Sequence, residues 1–326
     1  MSKPRSTEIA PTGLPVLITM GEPAGVGPEV AVAAFQALGG RVGDHALRLV
    51  GDETVFRSCG AVPDAALIAT VATAGRHAGK PDVRFAPAVI EAIALGVKAV
   101  LGGQATALVT APIHKAVLTE SGFGFPGHTE FLAHLTGVPR AVMMIASDAL
   151  RVVPQTIHVP LSAVPSLLTT DAIVETARIT LAALKSDFGF THPRLAVAGL
   201  NPHAGEDGTI GAEDRAILLP AVEILCAEGH DVRGPLSADT LFHAEARKTY
   251  DAVLCMYHDQ ALIPAKTLGF WDGVNVTLGL PIVRTSPDHG TALDIAGSGK
   301  ADMRSMVAAI KMAAEIADRR EAIGRG

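Results

Sequence analysis

DAVLCMYHDQALIPAKTLGFWDGVNVTLGLPIVRTSPDHGTALDIAG, residues 251–297, sets short apolar runs against polar residues placed at or near their ends. Residues 252–256 have the length of a buried strand and stop at Tyr257-His258-Asp259-Gln260. Lys266, Asn275 and Arg284 follow on successive short segments, Arg284 inside the apolar run LPIVRTS. SPDHGTALDIAG then makes a turn-rich loop ahead of a helical segment at 303–316. Short buried strands that each deliver a polar side chain to one cleft are the habit of an α/β scaffold.

The alternation extends upstream. Residues 14–19 are apolar and run into MGEPAGVGPEV, which reads as strand, Gly-rich loop and helix, with Pro28 where a first helical turn tolerates it. That loop either offers backbone N–H groups to a phosphate or a nicotinamide carboxamide or is a tight βα turn; it matches neither G-x-G-x-x-G nor the P-loop. Residues 46–50 and 104–110 are strand-like, and Val89, Ile93, Val97 and Val100 predict a helix over 86–101. Strand, helix, strand in that order predicts a parallel sheet with right-handed crossovers. Further strands are expected at 141–146, 151–157 and 194–200, and helices at 171–184 and 213–228.

Size and composition agree with an α/β fold. At 326 residues two domains are expected, and 48% hydrophobic but 4% aromatic residues, with 33 Gly and 21 Pro, predict a core of Ala, Val, Leu and Ile broken by turns. The formal charge is −6 and the cations are scattered, which excludes a nucleic-acid partner. No apolar run approaches the roughly 20 residues that span a bilayer, so no membrane is expected. The opening MSKPRSTEIAPTG lacks the apolar segment of a secretory signal, and a cytoplasmic location is expected. The 3 cysteines, Cys59, Cys226 and Cys255, are too far apart for a disulfide framework or zinc knuckle. Cys255 is read as a buried structural thiol, since strand geometry would turn it away from His258.

The chemistry-bearing residues form two groups. Apolar runs ending in or near His158, His203 and His258 suggest imidazoles that converge on one metal with an open coordination position, against the alternative of unrelated loop histidines among 12. A loop after 104–110 carries His114, Lys115 and His128. Thr129 is placed to cap a helix over the apolar Phe131, Leu132 and Leu135, with His128 either at a positive helix end suited to an anion or simply a solvated loop residue. Lys266 and Arg284 suit a carboxylate or phosphate, Arg284 through its bidentate fork.

GEPAGVGPE, PGHTEFL, TIHVPL, GLNPHAGEDG, ADTLF, YHDQ and GVNVTLGLPIVRTSPDHGTALDIAG, spread over residues 21–297, together resemble the 4-hydroxythreonine-4-phosphate dehydrogenases of pyridoxal phosphate biosynthesis. The resemblance implies a two-domain α/β/α fold of the isocitrate and isopropylmalate dehydrogenase type, with a non-Rossmann NAD site and a cleft between domains. One domain would be built from both chain ends, 1–127 plus 285–326, and the other, 128–284, would carry substrate, metal and dimer contacts. By position, His158, His203 and His258 resemble divalent-metal ligands assembled across a homodimer with shared active sites. His128, Thr129, Lys266, Asn275 and Arg284 resemble substrate contacts. His289, Gly290, Thr291, Ala292, Leu293, Asp294 and Ile295 are similar to the adenosine-holding loop of the wider fold group.

The activity so implied is NAD-dependent oxidation, with NADP as the alternative, of the C3 hydroxyl of a small phosphorylated amino acid, followed by loss of carbon dioxide. Lys115, Asp259 and metal-bound hydroxide are candidate proton acceptors. Imidazole ligands favour zinc, with cobalt or magnesium as alternatives. Two other readings stay open: a related dehydrogenase for 4-phospho-threonate or 4-phospho-erythronate, and a zinc hydrolase of a phosphorylated metabolite.

Overall fold

The computed structural model describes residues 12–125 and 127–324. The polar opening segment, residues 1–11, lies outside the described residues, as does Pro126 of PGHTEFL. The strands are β1 (Gly13–Thr19), β2 (Arg41–Val42), β3 (His45–Gly51), β4 (Leu67–Ala69), β5 (Ala107–Thr110), β6 (Val142–Ala146), β7 (Arg151–Pro154), β8 (Arg194–Ala198), β9 (Asp231–Leu236), β10 (Ala252–Cys255), β11 (Val274–Leu278) and β12 (Val283–Pro287). The α-helices are α1 (Gly27–Ala37), α2 (Glu53–Cys59), α3 (Ala86–Leu101), α4 (Lys115–Glu120), α5 (His128–Thr136), α6 (Val164–Leu167), α7 (Thr170–Ser186), α8 (Leu219–Ala227), α9 (His258–Leu268) and α10 (Arg304–Gly324). The α/β expectation holds.

All 12 strands join one sheet in the order β2-β3-β1-β5-β12-β11-β6-β7-β10-β8-β9, with β4 beside β3. β1 pairs in parallel with β3 and β5, and β12, from near the C-terminus, adds to β5 in parallel. β7, β10, β8 and β9 form a second parallel set. Between the sets, β12 to β11, β11 to β6 and β6 to β7 are antiparallel. The parallel pairing expected from the strand–helix–strand segment at 46–110 holds, while the sheet as a whole is mixed. Residues 147–150 and 279–282 are all that separate β6 from β7 and β11 from β12, too few for a crossover, so each pair closes as a hairpin. Because three antiparallel steps intervene, the two parallel sets run in opposite senses.

Both faces of the second set are buried. Leu195 and Val197 of β8, and Ala252 and Leu254 of β10, enter the large core, whereas Ala196, Ala198, Val253 and Cys255 enter a smaller cluster with Ala261, Leu262 and Ala265 of α9. Period-two alternation with apolar residues on both faces is why these strands read as unbroken hydrophobic runs. Cys255 is buried and unpaired, and burial pushes its thiol pKa up, as expected of a structural residue. Residues 86–101 form α3 as predicted, with Val89, Ala92, Ile93 and Val97 on its buried face. Other boundaries shift: β7 stops at Pro154, β8 stops at Ala198, β5 starts at Ala107, and the helix expected at 213–228 opens with a π-helical turn, Asp214–Leu218.

Candidate active site

A cavity of about 430 Å³ lies over the antiparallel centre of the sheet. Asn275 reaches it from β11, Arg284 and Ser286 from β12, and Thr110 from the end of β5. The first turn of α5 brings His128, Thr129 and Glu130, and α9 brings His258 and Lys266. Lys115, His158, Asp288, His289 and Gly290 complete the polar lining.

Arg284 is 2% exposed. Its Nε and Nη2 donate to Thr110 Oγ1 at 3.1 and 2.5 Å, Nη1 donates to Thr277 Oγ1 at 2.8 Å, and Nη2 donates to His128 Nδ1 at 3.3 Å. Among the described residues no carboxylate hydrogen-bonds to this guanidinium, and burial lowers its pKa to about 9. A buried cation held only by neutral groups is a seat for an anion. His128 is pushed well below the ordinary imidazole range, first by burial and then by the charges of Arg284 and Lys115. Since its Nδ1 accepts from Arg284, the neutral ring carries its proton on Nε2, which is buried without a partner. Asn275 Oδ1 is likewise buried and unpartnered. Orphaned groups of this kind are paired when a polar ligand enters.

The expected helix cap is corrected. Gly127, not Thr129, is the N-cap of α5 and no side chain caps it, so His128 and Thr129 sit inside the first turn beside free backbone N–H groups. Lys266 Nζ donates to the backbone oxygen of Asp288 at 3.0 Å and pairs with its carboxylate at 3.1 Å. Burial raises the Asp288 pKa, and Lys266 acts against that rise.

His158 and His258 stand side by side, ring centroids 5.8 Å apart. His258 opens α9, and its Nδ1 lies 2.7 Å from Asp259 Oδ1; a carboxylate only accepts, so Nδ1 carries the proton and Nε2 keeps a free lone pair. Asp259 lines a neighbouring cavity with both histidines and is absent from the lining of the larger one, so its geometry is that of an orienting group. Lys115 Nζ lies 3.2 Å from His158 Nδ1. His158 is lowered by burial, then by the charges of Lys115 and His258.

His203 stands apart from that pair. β7, β10 and β8 do leave their histidines from one edge, but no group of three His, Cys, Asp or Glu among the described residues is close enough to hold a metal. Single-chain convergence is thus corrected to a pair plus one outlying imidazole. His203, Ala204, Gly205, Glu206 and Asp207 take successive positive φ values of 54, 53, 79, 40 and 56°. Left-handed backbone costs roughly 1–2 kcal/mol per non-glycine residue, a cost that proteins concentrate at functional positions. Asp214, 1% exposed, ties down the chain just ahead of the run: its carboxylate accepts from Leu200 N, Asn201 N and Asn201 Nδ2 at 2.7, 3.1 and 2.8 Å.

Of the expected cofactor residues, His289 and Gly290 line the cavity, while Ala292 and Ile295 line an apolar cavity of about 240 Å³ behind it. Lys266, Asp288 and His289 belong to both walls. In the Gly-rich loop four N–H groups are taken within the chain: Glu22 N donates to Pro112 O, Ala24 N to Glu22 Oε1, Gly25 N to Glu22 O and Val26 N to Thr291 O. This loop buttresses the 289–297 loop. A Cβ on Gly25 would lie 2.8 Å from Thr291 O, and Gly297 N donates to Glu29 Oε1 at 2.7 Å. Thr291, Leu293 and Asp294 line neither cavity.

Thr110, Thr277, Glu130 and Asp288 were not anticipated. Asp288 had a local signal, an acid beside His289 in SPDHG, and Glu130 directly follows Thr129 in GHTEF. The threonines had none, because they meet Arg284 only through sheet order.

The model of the family described as pyridoxal phosphate biosynthetic protein PdxA matches residues 36–313. A protein of Methylorubrum extorquens (strain PA1) named 4-hydroxythreonine-4-phosphate dehydrogenase is 51% identical, over 94% of this chain and 95% of its own. A Roseobacter denitrificans protein of the same name is 53% identical over 95% and 99%. The crystal structure of 4-hydroxythreonine-4-phosphate dehydrogenase from Klebsiella pneumoniae superposes with a TM-score of 0.82 at 35% identity, covering 94% of this chain and 100% of that one. On that extent of agreement, the chain belongs to the family of pyridoxal phosphate biosynthetic protein PdxA.

Proposed function

We propose that this chain is a 4-hydroxythreonine-4-phosphate dehydrogenase that oxidises the C3 hydroxyl of 4-phosphohydroxy-L-threonine. The secondary alcohol gives up a hydride to NAD and a proton to the protein, leaving a β-keto acid. Loss of carbon dioxide then yields 3-amino-2-oxopropyl phosphate. The observation that carries the reading is one cavity that combines the buried Arg284 seat, Lys266, and the His158–His258 pair. Family membership and the name shared by the relatives support it.

Lys266 and Arg284 balance the phosphate and carboxylate. His128 Nε2 donates to an anionic oxygen, and Asn275 fixes the substrate's orientation. Two carboxylates line the cavity, and Asp288 is committed to Lys266. Glu130, whose carboxylate makes no hydrogen bond among the described residues, is left for the substrate ammonium, favouring an amino acid over 4-phospho-threonate or 4-phospho-erythronate. Lys115, in its neutral amine form, takes the hydroxyl proton.

The donor set fits a divalent ion in part: His158 and His258 offer two imidazoles at the cavity, and we assign the third position to the partner subunit's His203 in a homodimer. When bound, the ion would lower the pKa of the C3 hydroxyl and the dinucleotide would accept the hydride. Imidazole donors favour zinc or cobalt over magnesium. NADH formation measured with 4-phosphohydroxy-L-threonine, 4-phospho-threonate and 4-phospho-erythronate tests the reading. The amino acid should be turned over fastest. Preference for either hydroxy acid would remove the role of Glu130, and no reduction of NAD by any of them would return a hydrolase to contention.

A further inference from the structure

The apolar cavity behind His289 is walled by Val26, Val30, Ala292, Ile295, Phe270 and Trp271. The two aromatic residues are unusual for their setting. Phe270 is 64% exposed and Trp271 46% exposed, in a chain with 4% aromatic residues and 1 tryptophan. They meet edge to face, centroids 5.0 Å apart at 79°. The Arg304 guanidinium lies over the indole, 3.9 Å from its centroid. Arg304 is in turn gripped by Asp302, with Nε donating to Oδ1 and Oδ2 at 3.0 and 2.9 Å, Nη2 donating to Oδ2 at 2.7 Å, and its own backbone N donating to Oδ1 at 2.9 Å.

Neither aromatic ring belongs to a hydrophobic core cluster, so this arrangement does not serve core packing. Holding an exposed indole in one orientation gives up side-chain freedom, and that is recovered when a flat partner stacks on the ring. The place is chemically right for such a partner. The cavity shares Lys266, Asp288 and His289 with the polar cavity, and the His289 Nε2 between them is buried without a partner. Lys300, exposed and without an ion-pair partner among the described residues, stands in its lining as a cation for a phosphate.

We propose that Trp271, held in place by the Asp302–Arg304 fork, is the stacking wall for a flat heteroaromatic ring of the dinucleotide cofactor. The proposal rests on the dehydrogenase reading and adds to it a residue outside the 289–295 loop. The adenine and nicotinamide ends share the required chemistry, and the mononucleotides AMP and nicotinamide mononucleotide tell them apart.

Because Trp271 is the 1 tryptophan, its emission reports this site alone. NADH titrated into the full-length protein should quench that emission and sensitise NADH fluorescence by energy transfer, and AMP or nicotinamide mononucleotide should reverse the effect according to which end occupies the cavity. Trp271→Ala should weaken NADH binding, followed by the anisotropy of NADH itself, by about tenfold, the scale of one base–aromatic stack. Trp271→Phe keeps a ring and should stay within about threefold, which separates stacking from misfolding. Unchanged tryptophan emission at saturating NADH, or wild-type affinity in Trp271→Ala, would overturn the stacking role while turnover leaves the dehydrogenase reading standing. Absence of NADH binding together with absence of turnover would remove both.

Discussion

Arg284 Nη2 donates to His128 Nδ1 across 3.3 Å inside the cavity, although 156 residues separate the two in the chain. The bond joins β12 to the first turn of α5 and sets the tautomer of His128, so two groups that line the cavity are oriented by each other.

Arg284→Ala removes the cation from that pair and leaves Thr110 and Thr277 without their partner. Losing one member of a buried, hydrogen-bonded charge interaction costs about 2–5 kcal/mol, so kcat/KM should fall by at least about 30-fold. NADH affinity should change little, since Arg284 lines the polar cavity alone. Steady-state kinetics beside an NADH titration checks both, and an unchanged KM for the phosphorylated substrate would sink the assignment.

His128 makes stability depend on pH. Its folded pKa lies well below the unfolded value of 6.5, so below pH 6.5 the unfolded chain binds more protons than the native one. The native state keeps the full benefit above pH 6.5 and loses it as pH falls through that value toward the folded pKa. Urea unfolding at pH 7.5, 6.5 and 5.5 should show His128→Asn losing less stability on acidification than wild type, by about 1 kcal/mol per pH unit below 6.5. Parallel curves for the two proteins would remove His128 as the source.

The element types were largely legible because they are local: the 3.6-residue spacing of Val89, Ile93 and Val97 marks α3, and the unbroken apolar run at 252–256 marks β10. Their arrangement was not. Nothing in the residues around Thr277 or Arg284 states that β11 and β12 pair as a hairpin, or that three antiparallel steps in a row reverse the sense of the second parallel set. Arg284 was conspicuous as a cation in an apolar run, whereas Thr110 and Thr277 look ordinary until the strand order sets them around it. His203 was found from its place at a strand end, but its left-handed backbone was not, because four of the five residues that share it are not glycine.

Asp259 holds His258 by its Nδ1 proton. Removing the acceptor behind a metal-binding imidazole typically weakens the metal by about 10- to 100-fold. Asp259→Ala should therefore bind zinc less tightly in competition with a chromogenic chelator while retaining its fold by circular dichroism. Equal zinc affinity would mean that Asp259 does not orient a ligand.

The outlying position of His203 makes subunit complementation informative. His203→Ala and His258→Ala should each be inactive as homodimers. Subunits of the two mixed and reassembled should regain about one quarter of wild-type activity, because about half the dimers are mixed and each holds one intact site of two. A mixture as inactive as its parents would contradict a site shared between chains.

The most direct test of the central claim is the initial rate of NADH formation from 4-phosphohydroxy-L-threonine by the full-length protein as purified, after chelator treatment, and after zinc is restored. A metal-dependent dehydrogenase should reduce NAD, lose that activity on chelation and recover it with zinc. An undiminished rate in the metal-free protein would contradict the histidine-bound ion, and no NADH in any of the three states would contradict the dehydrogenase itself.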